Sequence, residues 1–437
     1  MKQATMFIAL LLGALLLVGC GGNGNTTSQS TYNNGSGDQP YKPITHLSHR
    51  SLVSNLYTGQ LEVMETTKDK LTAYTFTVGR QPTYMQSSPD GWLTFINNSG
   101  SNTISSFDNY QETVKATIEL SGWTESFVTS QNNKLGYAAV YNYSNGTYRT
   151  PGAILPFNPT DGSLNTQIPF PNVRYLAMDS AEKHLLAFTD VDDNAHWVDL
   201  TTIDPLTLVQ TVSVLPLPAG TLSRPVAAFF SSDSTKAYIL SCGVECGGTS
   251  AASVTEIDVT IPTAATVVRQ WTAPTLGARR GLIDLTANKL YVAGSVTTST
   301  SNDCPYTGAA PACTGVNNVQ DGFFTVIDLT TGIAGTPIRI GNGVKRWIRN
   351  INGNFWVSST NCGVQSCISL VNPTAGTAKV LTTAKGDGTG ISLSANSGKV
   401  YTIEGGELYI YDQKGNTIKS EFDTDVKGQA SDVLYIN

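Results

Sequence analysis

The chain has 437 residues, only 14% of them Asp, Glu, Lys or Arg, and a formal net charge of -6. That charge argues against a nucleic acid partner, since backbone binding needs a concentrated positive surface. The length allows a large core or two domains, and the abundance of Thr, Ser, Asn and Gly is the balance of an exported β protein.

At the start, Lys2 precedes an apolar run from Met6 to Val18 broken only by Ala9, Gly13 and Ala14. The run is too short to span a hydrocarbon core of about 30 Å, and its basic residue lies ahead of it, as in a signal segment. It ends Leu17-Val18-Gly19-Cys20, which resembles the bacterial lipobox. That resemblance implies removal of residues 1–19 as a lipoprotein signal peptide and lipidation of Cys20, with the membrane as partner through two or more acyl chains. Gly21 in place of Asp favours the outer membrane by similarity to bacterial sorting rules, with the periplasmic or cell-surface side left open. Residues 20–40 then form the lipidated cysteine and a polar tether, GGNGNTTSQSTYNNGSGDQP, that can bury almost nothing. Residues 41–437 are expected to form one domain.

Along that domain a phrase recurs: a short apolar strand, then Ser/Asp/Asn and often Gly, a strand rich in Tyr, Val and Ile, a third ending in Asp or Asn, and a fourth. The clearest copy runs from Gly281 to Gly341, with GLIDLTANKLYVAGS, a long loop, DGFFTVIDLTTG and TPIRIG. Others are PTYMQSSPDGWLTFINN with TISSFDN, VRYLAMDSAEKHLLAFTD with HWVDLTT, PVAAFFSSDSTKAYILS with SVTEIDV, and GISLSANSGKVYTIE with ELYIYDQKG. Asp108, Asn158, Asp199, Asp258, Asp328, Asn372 and Asp412 close the third strand of successive copies, at separations of 50, 41, 59, 70, 44 and 40 residues. The shorter separations match one four-stranded propeller blade. An Asp or Asn there fixes the turn by hydrogen bonding to the backbone two residues on. SLVSNLYTGQLEVMETTKDKLTAYTFTVG reads as a copy lacking its first strand, with Glu65 at the turn position, and GQASDVLYIN as a lone strand. The prediction is an all-β propeller of four-stranded antiparallel blades, eight in number with seven as the alternative. The C-terminal strand completes the N-terminal blade, because closure removes the open sheet edges.

These copies resemble the YVTN-type repeats of the propeller group that includes surface-layer proteins, lactonase-like proteins and amine dehydrogenase heavy chains. The resemblance covers nearly all of residues 51–437. It implies the fold but no particular activity, since one scaffold carries many functions.

Six cysteines after Cys20 fall into close pairs, Cys242 with Cys246, Cys304 with Cys313, and Cys362 with Cys367. In an oxidising compartment they read as three local disulfides, each stapling its own loop. A basic residue recurs at or just before the first strand: Arg80, Arg174, Arg224, Arg279 or Arg280, and Arg346 with Lys345. First strands line a propeller's channel, so these arginines form a candidate anion or ligand site at its mouth. The opposing expectation is that each pairs with an acidic neighbour, and a small slip in register would turn several away.

His46 and His49 lack a fixed frame for a metal. Asp190, Asp192 and Asn194, in the hairpin between His184 and His196, form a D-x-D-x-N calcium candidate. Ala195 stands where such a loop requires Gly, which favours a solvated turn and no metal. Tyr32, Tyr41, Tyr57, Tyr110, Tyr141, Tyr143, Tyr148 and Tyr306 fall in tether or loops, where tyrosine can anchor a sugar or a protein. Neither a GxSxG elbow nor an HExxH pair occurs, and no cofactor or catalytic residue is predicted. The expected role is a cell-envelope binding or scaffold module presenting a loop-rich face to a protein or glycan, more a binder than an enzyme. The alternatives are a lactonase-like or quinone-dependent dehydrogenase with its site at the channel, and a passive structural protein of the envelope.

Overall fold

The alternation of the second and third strands explains how the domain is built. In Lys289–Thr298, Leu290 and Val292 enter one buried cluster, and Tyr291 and Ala293 enter another on the opposite face. Such a strand is apolar on both sides because its sheet is covered on both sides. A computed structural model describes residues 43–436, apart from 142, 145–148, 151, 204–209, 273–274, 299–318, 352, 382, 394–397 and 415–416. Within it are eight blades, and eight hydrophobic clusters each fill the gap between two neighbouring blades.

From the first strand outward, blade 2 comprises Pro82–Ser87, Leu93–Asn98, Thr103–Asp108 and Thr113–Glu119. Blades 3, 4 and 5 begin with Thr124–Thr129, Val173–Met178 and Pro225–Phe230. Blades 6, 7 and 8 begin with Arg280–Asp284, Val344–Ile351 and Gly388–Leu393. Successive strands of each blade pair antiparallel. The fourth strands carry the exposed edge, as the alternation of Thr113–Glu119 shows, whereas the first strands of blades 2 to 5 are largely buried.

Blade 1 closes the ring. Arg50–Asn55, Gln60–Glu65 and Lys70–Thr77 come from the start of the domain, and Ala430–Ile436 supplies the innermost strand by pairing antiparallel with Arg50–Asn55. The expected closure and the count of eight blades both hold. Ser431 Oγ donates to Pro82 O at 2.5 Å, and Asp432 Oδ2 accepts the Met85 N–H at 2.7 Å, so the closing strand is also tied to blade 2.

The turn residues follow their chemistry. Asp108 accepts the N–H groups of Tyr110 and Gln111 at 2.9 and 2.8 Å. Asn158, Asp199, Asp258, Asp328 and Asn372 accept those of Thr160, Thr201, Thr260, Thr331 and Ala375 at 2.8 to 2.9 Å. Glu65 uses its longer carboxylate to accept from Thr67 Oγ1 and Lys68 Nζ. Asp412 lies in the ladder opposite Lys399, as its counterparts do in theirs, but its strand, Glu407–Lys414, continues past it and the turn that follows lies outside the described residues.

Asp432 makes the closure pH-sensitive. It is 3% exposed, and burial pushes its carboxyl up to about 7, against the pull of the Met85 N–H and Arg349. A carboxyl raised above its ordinary 3.8 contributes stability that is full below that value and is lost as pH rises through about 7. Asp432→Asn abolishes this titration. Its unfolding free energy minus that of the wild type should climb by about 2 kcal/mol between pH 5 and pH 8 in urea melts. A difference that does not change with pH contradicts a raised Asp432.

Two of the three cysteine pairs, Cys242–Cys246 and Cys362–Cys367, form disulfides. Cys304 and Cys313 lie outside the described residues, as do Cys20 and the tether. Among the described residues no helix is long and apolar enough to cross a membrane.

Candidate functional site

Because neighbouring strands are antiparallel, the connections into each first strand and those between second and third strands share one end of the ring. The Asp190–Asn194 turn and both described disulfide loops are at this end, with the start of every first strand. It is the mouth of the channel.

The first strands do not keep simple alternation there. Pro82 pairs with Asn98 and Tyr84 with Asn97, leaving Thr83 as a bulge, and the same single-residue bulge falls at Glu125, Arg174, Val226, Arg346 and Thr389. In the closing strand it falls at Ser431. Blade 6 has no such bulge, and Arg280 pairs in register with Ala293. A bulge re-aims side chains and commonly lies beside a site. Here it turns adjacent residues of one strand toward the same mouth.

A cavity of about 260 Å³ occupies this mouth. Blade 2 contributes Thr83, Tyr84, Asn97 and Ser99; blade 3 contributes Trp123, Thr124 and Glu125; and blades 4, 6 and 7 contribute Tyr175, Arg280, Arg346 and Trp347. Arg280 Nε donates to Arg346 O at 3.0 Å, which links blades 6 and 7. Burial, together with the adjacent charge of Arg279, pulls Arg280 down to about 10. Neither Arg280 nor Arg346 makes an ion pair among the described residues.

The other arginines are held differently. Arg174 bridges two carboxylates, with Nε 2.6 Å from Glu125 Oε2 and Nη1 3.0 Å from Asp190 Oδ2. Burial opposes its charge, but the bond to Glu125 together with the charges of Tyr175, Glu125 and Asp190 outweighs it and holds the guanidinium charged, while Trp123 and Tyr175 flank it at 5.9 and 5.6 Å. Arg224 takes a left-handed backbone (φ 53°), donates to Asp190 O and lies 3.9 Å from Asp193. Arg279 faces Glu245, whose carboxylate is buried and pushed up by that burial, at 3.7 Å. Arg80 is exposed in the turn before blade 2, its N–H on Ser101 Oγ. Of the six arginines, Arg280 and Arg346 therefore line the cavity, and Arg174 braces its Glu125 wall. Lys345 is fully buried and donates to Gly341 O, Asn342 O, Gly343 O and Ser359 Oγ at 2.6 to 3.1 Å, anchoring the turn into blade 7 rather than facing the channel.

In the acidic hairpin, Asp190 is engaged by Arg174, while Asp192 faces His196 and accepts the Asn194 N–H. His184 meets Asp179 at 3.0 Å. Among the described residues no three His, Cys, Asp or Glu side chains are grouped to hold a metal. His49 lies 3.3 Å from the Tyr435 hydroxyl, and His46 sits in a left-handed turn. Tyr57 is exposed, Tyr110 packs on Trp92, and Tyr141 packs edge-on against Trp123, adding to the wall behind the cavity. Tyr32, Tyr41, Tyr148 and Tyr306, and the side chain of Tyr143, lie outside what is described.

Sequence reasoning missed Tyr84, Trp123, Glu125, Tyr175 and Trp347. Their signal is their position, since each lies in the first strand or just before it, within the same window as the recurring arginines.

The fold and the cavity together define a closed eight-bladed propeller with a small-molecule-sized site at its channel mouth. No family model and no curated protein matches the chain. Among solved structures it is similar to a dihydro-heme d1 dehydrogenase in complex with DHE, at 12% identity over 91% of this chain and 79% of that one, with a TM-score of 0.60. It is also similar to a functionally unknown protein of Desulfotomaculum acetoxidans, at 11% identity over 86% and 95%, TM-score 0.50. A periplasmic gluconolactonase of Pseudomonas aeruginosa is matched at 12% identity over 89% and 99%, TM-score 0.46. At these identities the likeness is one of fold.

Proposed function

We propose that the working site is the channel mouth and that it binds a small anionic molecule, which favours the channel-site, enzyme-type reading over a scaffold presenting its loop rims. The observation that carries this is the pair of guanidinium groups, Arg280 and Arg346, on one cavity wall, neither of them in an ion pair among the described residues, while Glu125, the carboxylate of the lining, is bound to Arg174. Cations so placed in a partly desolvated site attract a complementary charge. At about 260 Å³ the cavity is below the roughly 300–1,000 Å³ of sites for drug-sized ligands, so it suits a molecule of about one ring. Glu125 is the one carboxylate of the lining and the group to which a proton-transfer step would fall. Calorimetric titration of the full chain with small carboxylates and with phosphate tests the reading. Binding that weakens as salt rises is expected, and no binding to any of them contradicts it.

Membrane attachment through Cys20 remains our reading of the N-terminus. Glu112, in the third-to-fourth-strand turn at the end away from the mouth, is buried with Arg50 at 3.0 Å and accepts the N–H and hydroxyl of Thr45 at 2.6 and 2.7 Å. Thr45 and Arg50 thus enter the domain at the end away from the mouth, which supports an attachment that leaves the mouth accessible. In a bacterial host, Cys20→Ser should move the protein from the membrane fraction to the soluble fraction; a variant that stays with the membrane contradicts lipidation there.

A further inference from the structure

The polar groups of the cavity are unequally occupied. Thr83 Oγ1 donates to Asn97 O at 3.3 Å and accepts from Asn97 Nδ2 at 3.1 Å, and Asn97 Nδ2 also reaches Thr124 O at 3.2 Å. Thr124 Oγ1 donates to Ser126 O, Ser99 Oγ to Gln81 O, and Trp347 Nε1 to Thr389 O. The donor hydrogens of the Thr83, Ser99 and Thr124 hydroxyls and of the Asn97 amide, which would read a sugar, are therefore already engaged within the protein.

The uncommitted groups differ. Tyr84 is 8% exposed, and its hydroxyl has no hydrogen-bond partner among the described residues. Burial raises the Tyr84 phenol well above its ordinary value, so at neutral pH it is a donor. It lines the same cavity as Arg280 and Arg346. A buried hydroxyl left unpaired is destabilising, and a ligand acceptor recovers that loss. Beside these donors stand the rings of Trp123, Tyr175 and Trp347. Those rings are braced by cations on the protein side, Arg174 against Trp123 and Tyr175, and Arg349 at 5.0 Å from Trp347.

We infer that the mouth recognises a small aromatic carboxylate, with Tyr84, Arg280 and Arg346 around the carboxylate and Trp123, Tyr175 and Trp347 against the flat ring. The inference rests on the anion-binding reading above and narrows it to one chemical class. Aromatic rings pair through offset or edge contacts that add to what the area they bury contributes. A hydroxylated acid of similar size gains less, because its hydroxyls meet groups already engaged.

The test is titration of the full chain with benzoate, glucuronate and inorganic phosphate, followed by tryptophan fluorescence and by calorimetry, for the wild type and for Tyr84→Phe. Benzoate is expected to bind at least tenfold more tightly than glucuronate or phosphate. Tyr84→Phe should weaken benzoate roughly tenfold while its melting temperature stays level or rises, since the hydroxyl it removes has no partner in the protein. Glucuronate or phosphate binding as well as benzoate, or Tyr84→Phe binding benzoate unchanged, overturns the aromatic-carboxylate assignment and leaves the anion site standing. Failure of all three probes to bind the wild type removes the anion site itself, and this assignment with it.

Discussion

A chain ending at Gln429 should fail to fold into a closed ring. Loss of Ala430–Ile436 removes the innermost strand of blade 1, with the buried Ala430, Val433 and Ile436. Val433 and Ala430 belong to the cluster shared with blade 8, and Ile436 to the one shared with blade 2, so two gaps between blades lose packing at once. At about 1.5–3 kcal/mol for each large apolar side chain, with the ladder and the ties to Pro82 and Met85 added, the loss is of order 5–10 kcal/mol. A domain's whole stability is about 5–15 kcal/mol. The truncated chain should therefore show no cooperative thermal transition and should collect in the insoluble fraction. A soluble truncation melting within a few degrees of the full chain contradicts a closure that depends on this strand.

The second large effect is expected from Arg280→Met combined with Arg346→Met. Hydrogen bonds to charged groups contribute roughly 1.5–3 kcal/mol each, so losing both should weaken binding of a small carboxylate by at least about a hundredfold. Because the two guanidiniums share one wall, each single variant should show much of the loss, and the pair should be less than additive. Folding should be little affected. Among the described residues the Arg280 side chain makes one hydrogen bond, from Nε to Arg346 O, and neither cation makes an ion pair, so removing both relieves their mutual repulsion. Arg224→Met serves as a control: its guanidinium faces Asp190 and Asp193, and it lies outside the cavity lining, so anion affinity should be nearly unchanged. Equal affinity in the double variant and the wild type contradicts the proposed site.

The scaffold was legible because its causes are local. Asp108, Asp199, Asp258 and Asp328 mark the third-strand ends by bonding their own backbone, and that chemistry needs no knowledge of the rest of the fold. Two of the close cysteine pairs, Cys242–Cys246 and Cys362–Cys367, are bridged within their own loops for the same reason. Closure was also readable, since a lone final strand and a blade lacking its first strand have one economical solution.

The site was legible only in part, because its causes are distant. Arg174 is braced by Glu125, 49 residues earlier in the chain, and Arg279 by Glu245 on a disulfide loop of the preceding blade. Such pairings separate a structural arginine from a ligand-facing one, and no local pattern encodes them. The bulges matter as much. Strict alternation sends Arg346 and Trp347 to opposite faces, yet the extra residue at Arg346 lets both line the cavity. The same displacement puts Trp123 and Glu125 on the wall beside Thr124. Arg280 lines the cavity without a bulge, and Arg279, one residue earlier, turns back to Glu245.

The most direct test of the mouth as the working site is an experimental structure of the protein purified from its native cells, at a resolution that defines small molecules. Density for an anionic group within hydrogen-bonding reach of Arg280 and Arg346, against the rings of Trp123 and Trp347, is the result predicted. A mouth without such density, in which Arg280 and Arg346 have turned to carboxylates of the protein itself, would contradict the site and return attention to the loop rims.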